Sequence, residues 1–274
     1  MRWQIGRRSS NVEDRRGAGG RSVALGGGGL LALAVVVMLM GGDPSQILMQ
    51  AVQSQIQTQN VDPDDPEQKA QMDFVSSVLG STEDVWSGMG EGYQYPTLVV
   101  YNGVTSTACG TGQAAMGPFY CPVDRKLYLD LSFFKELEVK LGAPGDFARA
   151  YVIAHEVGHH IQTLIGTADG VRAAQKRASK KEANELSVKM ELQADCYAGI
   201  WAHRAQADYD LIEEGDIDEA LGAASAVGDD RLQEMAGGVV MPDSFTHGSA
   251  AQRKKWFMSG YKGGTLADCD TFKD

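Results

Sequence analysis

The sequence predicts an α+β domain in which one helix lies beside a small sheet, set behind a single apolar N-terminal span. Three observations point there. Leu127, Leu129 and Leu131 alternate with Lys126, Tyr128 and Asp130, the period of a half-buried strand. Two later stretches, 146–162 and 172–206, repeat apolar residues at helical spacing. Residues 23–40 carry no charge at all.

A chain of 274 residues is long enough for one or two domains and a sizeable core. The net charge of −11 argues against a nucleic-acid partner, which would need a basic face. That charge is unevenly spread. Residues 1–22 hold six arginines against Glu13 and Asp14, leaving about −15 for the rest of the chain. The expectation is a basic cytoplasmic tail at 1–22, a transmembrane anchor at 23–40, a linker at 41–71 and a folded domain at 72–274. Eighteen apolar residues at ~1.5 Å rise span about 27 Å, enough to cross a bilayer core. The rival reading, a cleaved signal peptide, would want a small-residue site, and Met40-Gly41-Gly42-Asp43-Pro44 is a poor one. Arginines before the span orient the N-terminus to the cytoplasm and the domain to the extracytoplasmic side.

Along the chain, Gln50 to Gln59 and Asp62-Pro63-Asp64-Asp65-Pro66 offer no apolar face and read as linker and turn. A short amphipathic helix from Met72 to Leu79 opens the domain and stops at Gly80. Leu98-Val99-Val100-Tyr101 reads as a buried strand before an Asn102-Gly103 turn, and 110–117 reads as loop. The strand at 126–131 is followed by a helix capped by Ser132 and running through Phe133, Phe134, Leu137 and Leu141. Ala143-Pro144-Gly145 breaks the chain, and Asp146 caps the next helix. Residues 172–206 form one long helix with Leu186, Met190, Ala194, Tyr197 and Trp201 on a stripe. Trp256, Phe257 and Tyr261 close the core.

The four cysteines contain no C-x-x-C. An even number behind a membrane signal suggests disulfides. Of three possible pairings, the expected one is Cys109–Cys121, a short local loop, with Cys196–Cys269 tying down the C-terminal tail. Four separate buried thiols are the alternative.

The chemistry concentrates at His155-Glu156-Val157-Gly158-His159. Three of the five histidines fall within six residues here. On a helix, His155 and His159 are one turn apart and face the same way, supplying two imidazoles of a zinc site. Glu156 stands off that face, where it reaches an activated water rather than the metal, as a general base must. A core helix that merely carries histidines is the bland alternative, but buried histidines need partners.

A catalytic zinc site needs a third protein ligand. Glu191 and Asp195, one turn apart, sit among Met190, Ala194 and Cys196, whereas Lys180, Lys181, Glu182 and Glu185 already furnish a solvated face. Glu191 is the expected ligand, with His160, His203 and His247 as rivals. Asp195 is expected to accept the other ring N–H of His155.

These residues resemble the gluzincin class of zinc peptidases: Ala154 to His159, then Glu191-x-x-x-Asp195. The wording is more similar still to the bacterial membrane-anchored neutral zinc metallopeptidases. That likeness rests on 117–122, 128–134, 150–162, 191–196, 228–233 and 246–253, and it covers 72–274 and the N-terminal anchor. It implies a zincin-like fold, a zinc cofactor and a protein or peptide substrate. The heat-shock and CAAX membrane proteases of the same class share a Thr-His followed six residues later by Arg, matched by His247 and Arg253. The resemblance implies that His247 hydrogen-bonds the oxyanion and that Arg253 supports a substrate carbonyl or the site carboxylates. Gly248-Ser249 departs from the proline-rich turn usual there. It also implies that the strand at 126–131 is the edge strand where an extended substrate adds, with Tyr128 facing it. Two other classes stay open: a catalytically silent zinc-binding scaffold that recruits partners at the membrane, and an anchored binding module without metal.

Overall fold

The computed structural model describes residues 1–17, 62–90 and 92–273. The expected span at 23–40 and most of the expected linker lie outside those residues. Among the described residues, no helix is long and apolar enough to cross a membrane.

The domain is α+β, with eight α-helices and six short strands among the described residues. The strands are β1 (Val12–Asp14), β2 (Thr97–Tyr101), β3 (Val104–Thr107), β4 (Gly110–Gln113), β5 (Phe119–Cys121) and β6 (Lys126–Asp130). Four of them form one sheet in the order β1-β2-β6-β5, parallel except for the antiparallel β5–β6 pair. β3 and β4 make a separate antiparallel hairpin. Residues 110–113, expected as loop, are therefore strand: their glycines lack side-chain periodicity but still complete a ladder.

Alternation along β2 and β6 sorts side chains to two buried faces. Leu98, Val100, Leu127 and Leu129 enter the main helical core. Val99, Tyr101 and Tyr128 join Cys121 and Phe119 on the other face, where the Phe119 ring lies against Gly112 of the hairpin. The resemblance implied that the strand at 126–131 is an edge strand, but β6 is interior and the edges are β1 and β5. Tyr128 does not face a substrate. It is 1 % exposed, stacks on Phe119, and donates its hydroxyl proton to Asp124.

The helices are α1 (Pro66–Gly88), α2 (Ser132–Val139), α3 (Asp146–Leu164), α4 (Thr167–Gln175), α5 (Lys180–Tyr209), α6 (Asp216–Ala226), α7 (Asp229–Met235) and α8 (Ala250–Gly263). α3 is the hub, packed against α1, α5, α6 and β5. α5 is buried on all sides from Leu192 to Ala202 and is covered chiefly by α8 and α3. The disulfides are Cys109–Cys121, which joins the hairpin to β5, and Cys196–Cys269, which joins α5 to the C-terminal turn.

Several boundaries differ from expectation for local reasons. Asp65 accepts from the amides of Glu67 and Gln68, and Pro66 occupies the first turn, so α1 starts six residues early. The run expected as one helix from 172 breaks at 176–179, and Ser179 with Glu182 forms a capping box that starts α5 afresh. Ser132 and Asp146 are first helical residues rather than caps. Asp130 accepts from the Ser132 amide, and Glu219 of α6 accepts from the Phe147 amide at the head of α3.

The largest departure is at the N-terminus. Residues 1–17, expected as a tail apart from the domain, fold onto it as an arm. β1 pairs with β2, Met1 is buried in the main core, and Trp3 packs edge-on to Phe74 of α1. The Met1 amino group lies 2.8 Å from Asp146 and 3.2 Å from Asp216.

The arm also explains why α1 runs through Gly80. A Cβ there would stand 2.7 Å from the carbonyl oxygen of Arg7, so this glycine admits a backbone rather than ending a helix. On a bare helix, Gly80→Ala would stabilise by about 0.5–1 kcal/mol. Against the arm it should destabilise by about 1–3 kcal/mol, lowering the melting temperature by roughly 2–4 °C per kcal/mol in a domain of this size. Thermal denaturation of the full chain reads the sign directly.

Candidate metal centre

The H-E-x-x-H segment lies in the middle of α3, and Glu191 comes from the facing turn of α5. Gly158 lets the two meet: a Cβ on it would fall 2.9 Å from the Ala194 carbonyl oxygen and 3.0 Å from the Ala194 Cα. With no side chain between them, the helices touch backbone to backbone, and Glu191 is set one turn from that contact. His155 Nε2 then lies 3.1 Å from Glu191 Oε2, and His159 Nε2 lies 3.4 Å from Glu191 Oε1. Ligand atoms of His155, His159 and Glu191 lie within 4.8 Å of one another.

The far side of each ring is tied down. His155 Nδ1 is 2.8 Å from Asp195 Oδ1, and His159 Nδ1 is 2.9 Å from Gln162 Oε1. A proton on each Nδ1 donates outward, so both Nε2 atoms, which face Glu191, are left to bind a metal once they give up their own protons. Gln162, fully buried, is itself fixed by donating to the carbonyl of Met190. Two imidazoles and one carboxylate converging on a point suit Zn²⁺, whose sites take nitrogen and oxygen donors of this kind.

Asp195 is 0 % exposed and anchors the centre. Arg253 of α8 donates to both of its oxygens, from Nε at 2.8 Å and from Nη2 at 2.9 Å. The Tyr151 hydroxyl donates to the same carboxylate. Burial alone would raise the Asp195 carboxyl, but Arg253 and His155 hold it below its ordinary range. Arg253 thus contacts one of the two carboxylates on α5, Asp195.

The metal-free charges are balanced the same way. Burial pushes His155 down, yet Asp195 and Glu191 keep it up at about 10. Glu191 is drawn far below its usual range by His159 and His155 in spite of burial. Zn²⁺ would displace protons from this cluster on entering it.

The centre forms the floor of a cleft of about 630 Å³. One wall is Gly117 to Tyr120, the edge strand and its approach, with Phe133 and Val152 below; the other includes Leu232 and His247. Glu156 lies between, half-buried, its carboxyl raised by burial. His247 is half exposed, and its Nδ1 sits 3.0 Å from Asp229 Oδ1. Asp229 Oδ2 also accepts from the amides of Thr246, His247 and Gly248, holding the whole turn. The hydrogen bond to Asp229 raises His247 above its ordinary value.

The rival histidines lie apart from the donor set. His160 is buried with one ring nitrogen 3.1 Å from the Tyr120 hydroxyl and the other 2.6 Å from the Gln94 carbonyl. It fastens the edge strand to α3. His203 contacts the Tyr261 carbonyl. A second acidic group, Asp146, Asp216 and Glu219, receives the Met1 amine through its two aspartates.

Three contributors escaped the sequence reading: Tyr151, Gln162 and Asp229. The first two lie four residues before His155 and three after His159, so helical spacing alone would have found them. Asp229 reaches His247 only through the tertiary fold.

An H-E-x-x-H helix joined by a glutamate from a second helix defines the donor set of zinc peptidases. The chain belongs to the family described as "Putative neutral zinc metallopeptidase", whose model matches residues 1–272. It is 49 % identical over 287 aligned residues to the protein YpfJ of Escherichia coli K12, described as uncharacterized, covering 99 % of both chains. It is 42 % identical over 202 residues to the uncharacterized protein Rv2575 of Mycobacterium tuberculosis H37Rv, covering 70 % of this chain and 67 % of that one. No solved structure matches it.

If Asp195 fixes His155 for the metal, Asp195→Asn should weaken zinc binding by about 10–100-fold. Competition against a chromogenic chelator measures this; unchanged affinity would remove Asp195 from the site.

Proposed function

We propose that this chain is a zinc-dependent peptidase of zincin-like fold acting on protein or peptide substrates. His155, His159 and Glu191 would hold the metal, and Glu156 would serve as general base. The observation that carries this reading is the convergence of three ligand atoms in an open cleft that the Glu156 carboxyl and the edge strand β5 also line.

Zn²⁺ bound to these three residues supplies a Lewis acid that activates a water and polarises the scissile carbonyl. The chain's own residues do the rest. An extended peptide adds to the free edge of β5, whose backbone fixes direction while alternate side chains face the cleft. Glu156 takes the proton of the attacking water on a carboxylate oxygen and passes it to the leaving amine. Its raised affinity for protons, a product of burial, suits that exchange. His247, held at Nδ1 by Asp229, presents Nε2 as a donor toward the carbonyl oxygen as charge develops there. Arg253 and Tyr151 keep Asp195, and through it the His155 ring, in place.

The apolar run at 23–40 supports association with a membrane, and the two disulfides support an oxidising compartment. The net charge of −11 gives no support to a nucleic-acid partner.

Glu156→Gln separates an enzyme from a silent zinc scaffold. The variant should retain its zinc while cleavage of an unfolded casein substrate falls by about 10²–10⁴-fold. Parent and variant with the same negligible rate would favour the scaffold. A second test concerns His247. Asp229 raises the pKa of this imidazole, so Asp229→Asn lowers it, and a protonated donor is then lost at lower pH. The alkaline limb of the kcat/KM profile should move toward lower pH; an unmoved limb would remove His247 from the reaction.

A further inference from the structure

We propose that residues 1–17 are a permanent edge strand and clasp of the folded domain, and lie on the same side of any membrane as residues 62–273. The backbone gives the first observation. β1 continues the sheet in parallel register, Val12 opposite Leu98, Glu13 opposite Val99 and Asp14 opposite Val100. The Leu98 amide donates to the Asn11 carbonyl at 2.9 Å, and the Arg15 amide donates to the Val100 carbonyl at 2.7 Å.

Glu83 gives the second. It sits within α1 and is 0 % exposed. The hydrogen bonds its carboxylate receives come from the arm: Ser9 Oγ and Asn11 Nδ2 on one oxygen at 2.7 Å each, Arg7 Nη2 on the other at 2.7 Å. An arm held elsewhere would strip the Glu83 carboxylate of these three partners. The close passage of Arg7 over Gly80 is a third and independent fit.

The arm's charge is also used within the fold. Arg2 pairs with Asp210, Arg7 with Glu83 and Asp84, Arg8 with Asp73, Arg15 with Glu13 and Arg16 with Asp14. Five of the six arginines that pointed the N-terminus toward the cytoplasm are therefore neutralised by carboxylates, three of them on the domain itself. Free basic charge was the ground for that orientation.

The topological consequence is direct. Ladder hydrogen bonds join strands about 4.8 Å apart, whereas a bilayer core is about 30 Å thick. A single crossing between residues 17 and 62 would put β1 and β2 on opposite faces and is incompatible with this sheet. The proposed shared side differs from the orientation read from the sequence, N-terminus inside and domain outside.

Site-directed labelling of the full chain in bacterial cells tests this. Gln4 and Ser10 on the arm and Lys254 on α8 are exposed, and all four native cysteines are in disulfides. Gln4→Cys, Ser10→Cys and Lys254→Cys variants are treated with a membrane-impermeant maleimide, in intact spheroplasts and after permeabilisation. The expected result is one pattern for all three, whether all label in intact spheroplasts or all only after permeabilisation. Lys254→Cys labelling in intact spheroplasts while both arm positions require permeabilisation, or the reverse, overturns the proposal. Two arm positions guard against one substitution disturbing the arm.

Discussion

The centre depends on one buried carboxylate. Asp195 has no contact with solvent, and its charge is tolerable only because Arg253, Tyr151 and His155 surround it. Those partners come from α8 and α3, while Asp195 belongs to α5, so a single side chain ties three helices together at the metal site. It also settles the charge. Arg253 balances Asp195, which leaves the Glu191 carboxylate as the anionic group facing the two Nε2 atoms. Removing one partner of such a group leaves an uncompensated buried charge, which is why the arrangement holds together as a unit. The orientation of His155 is thus fixed by the packing of the core.

Gly158 makes that packing possible. The residue between His155 and His159 is where α3 and α5 touch, so the motif sets both histidines and their distance to Glu191. The cleft above it follows from the sheet order. β5 is tied to the hairpin by Cys109–Cys121 and to α3 by Tyr120 and His160. A three-residue edge strand fastened at Tyr120 and Cys121 can present its backbone beside the candidate metal centre without moving away from it.

Much of the site was legible in the sequence because helical period is rigid. Two pairs, His155 with His159 and Glu191 with Asp195, each lie one turn apart, and the structure brings all four together. Tyr151 and Gln162 obey the same period, but a tyrosine and a glutamine on a helix do not by themselves signal contact with a metal site. The sheet was harder. Leu127 and Leu129 alternate as an edge strand would, but an interior strand buried on both faces alternates too when its second face is lined by Tyr128. β5 is too short and too mixed to announce itself. Gly80 was ambiguous for a physical reason, since the lack of a side chain serves equally to end a helix and to admit a crossing backbone. The arm was misread because a run of arginines looks like a solvated tail until the carboxylates that receive them are known. Those lie 65 to 208 residues away for Arg2, Arg7 and Arg8. No local pattern reports contacts at that separation.

The proposed function rests on zinc held by His155, His159 and Glu191. Its most direct test is to strip the full-length protein of metal, titrate Zn²⁺ back, and follow bound zinc and cleavage of a quenched fluorescent casein together. Hydrolysis should return in step with the first equivalent of zinc and be complete at about one per chain. Hydrolysis that persists in the stripped protein, or one bound zinc without any return of cleavage, would contradict it.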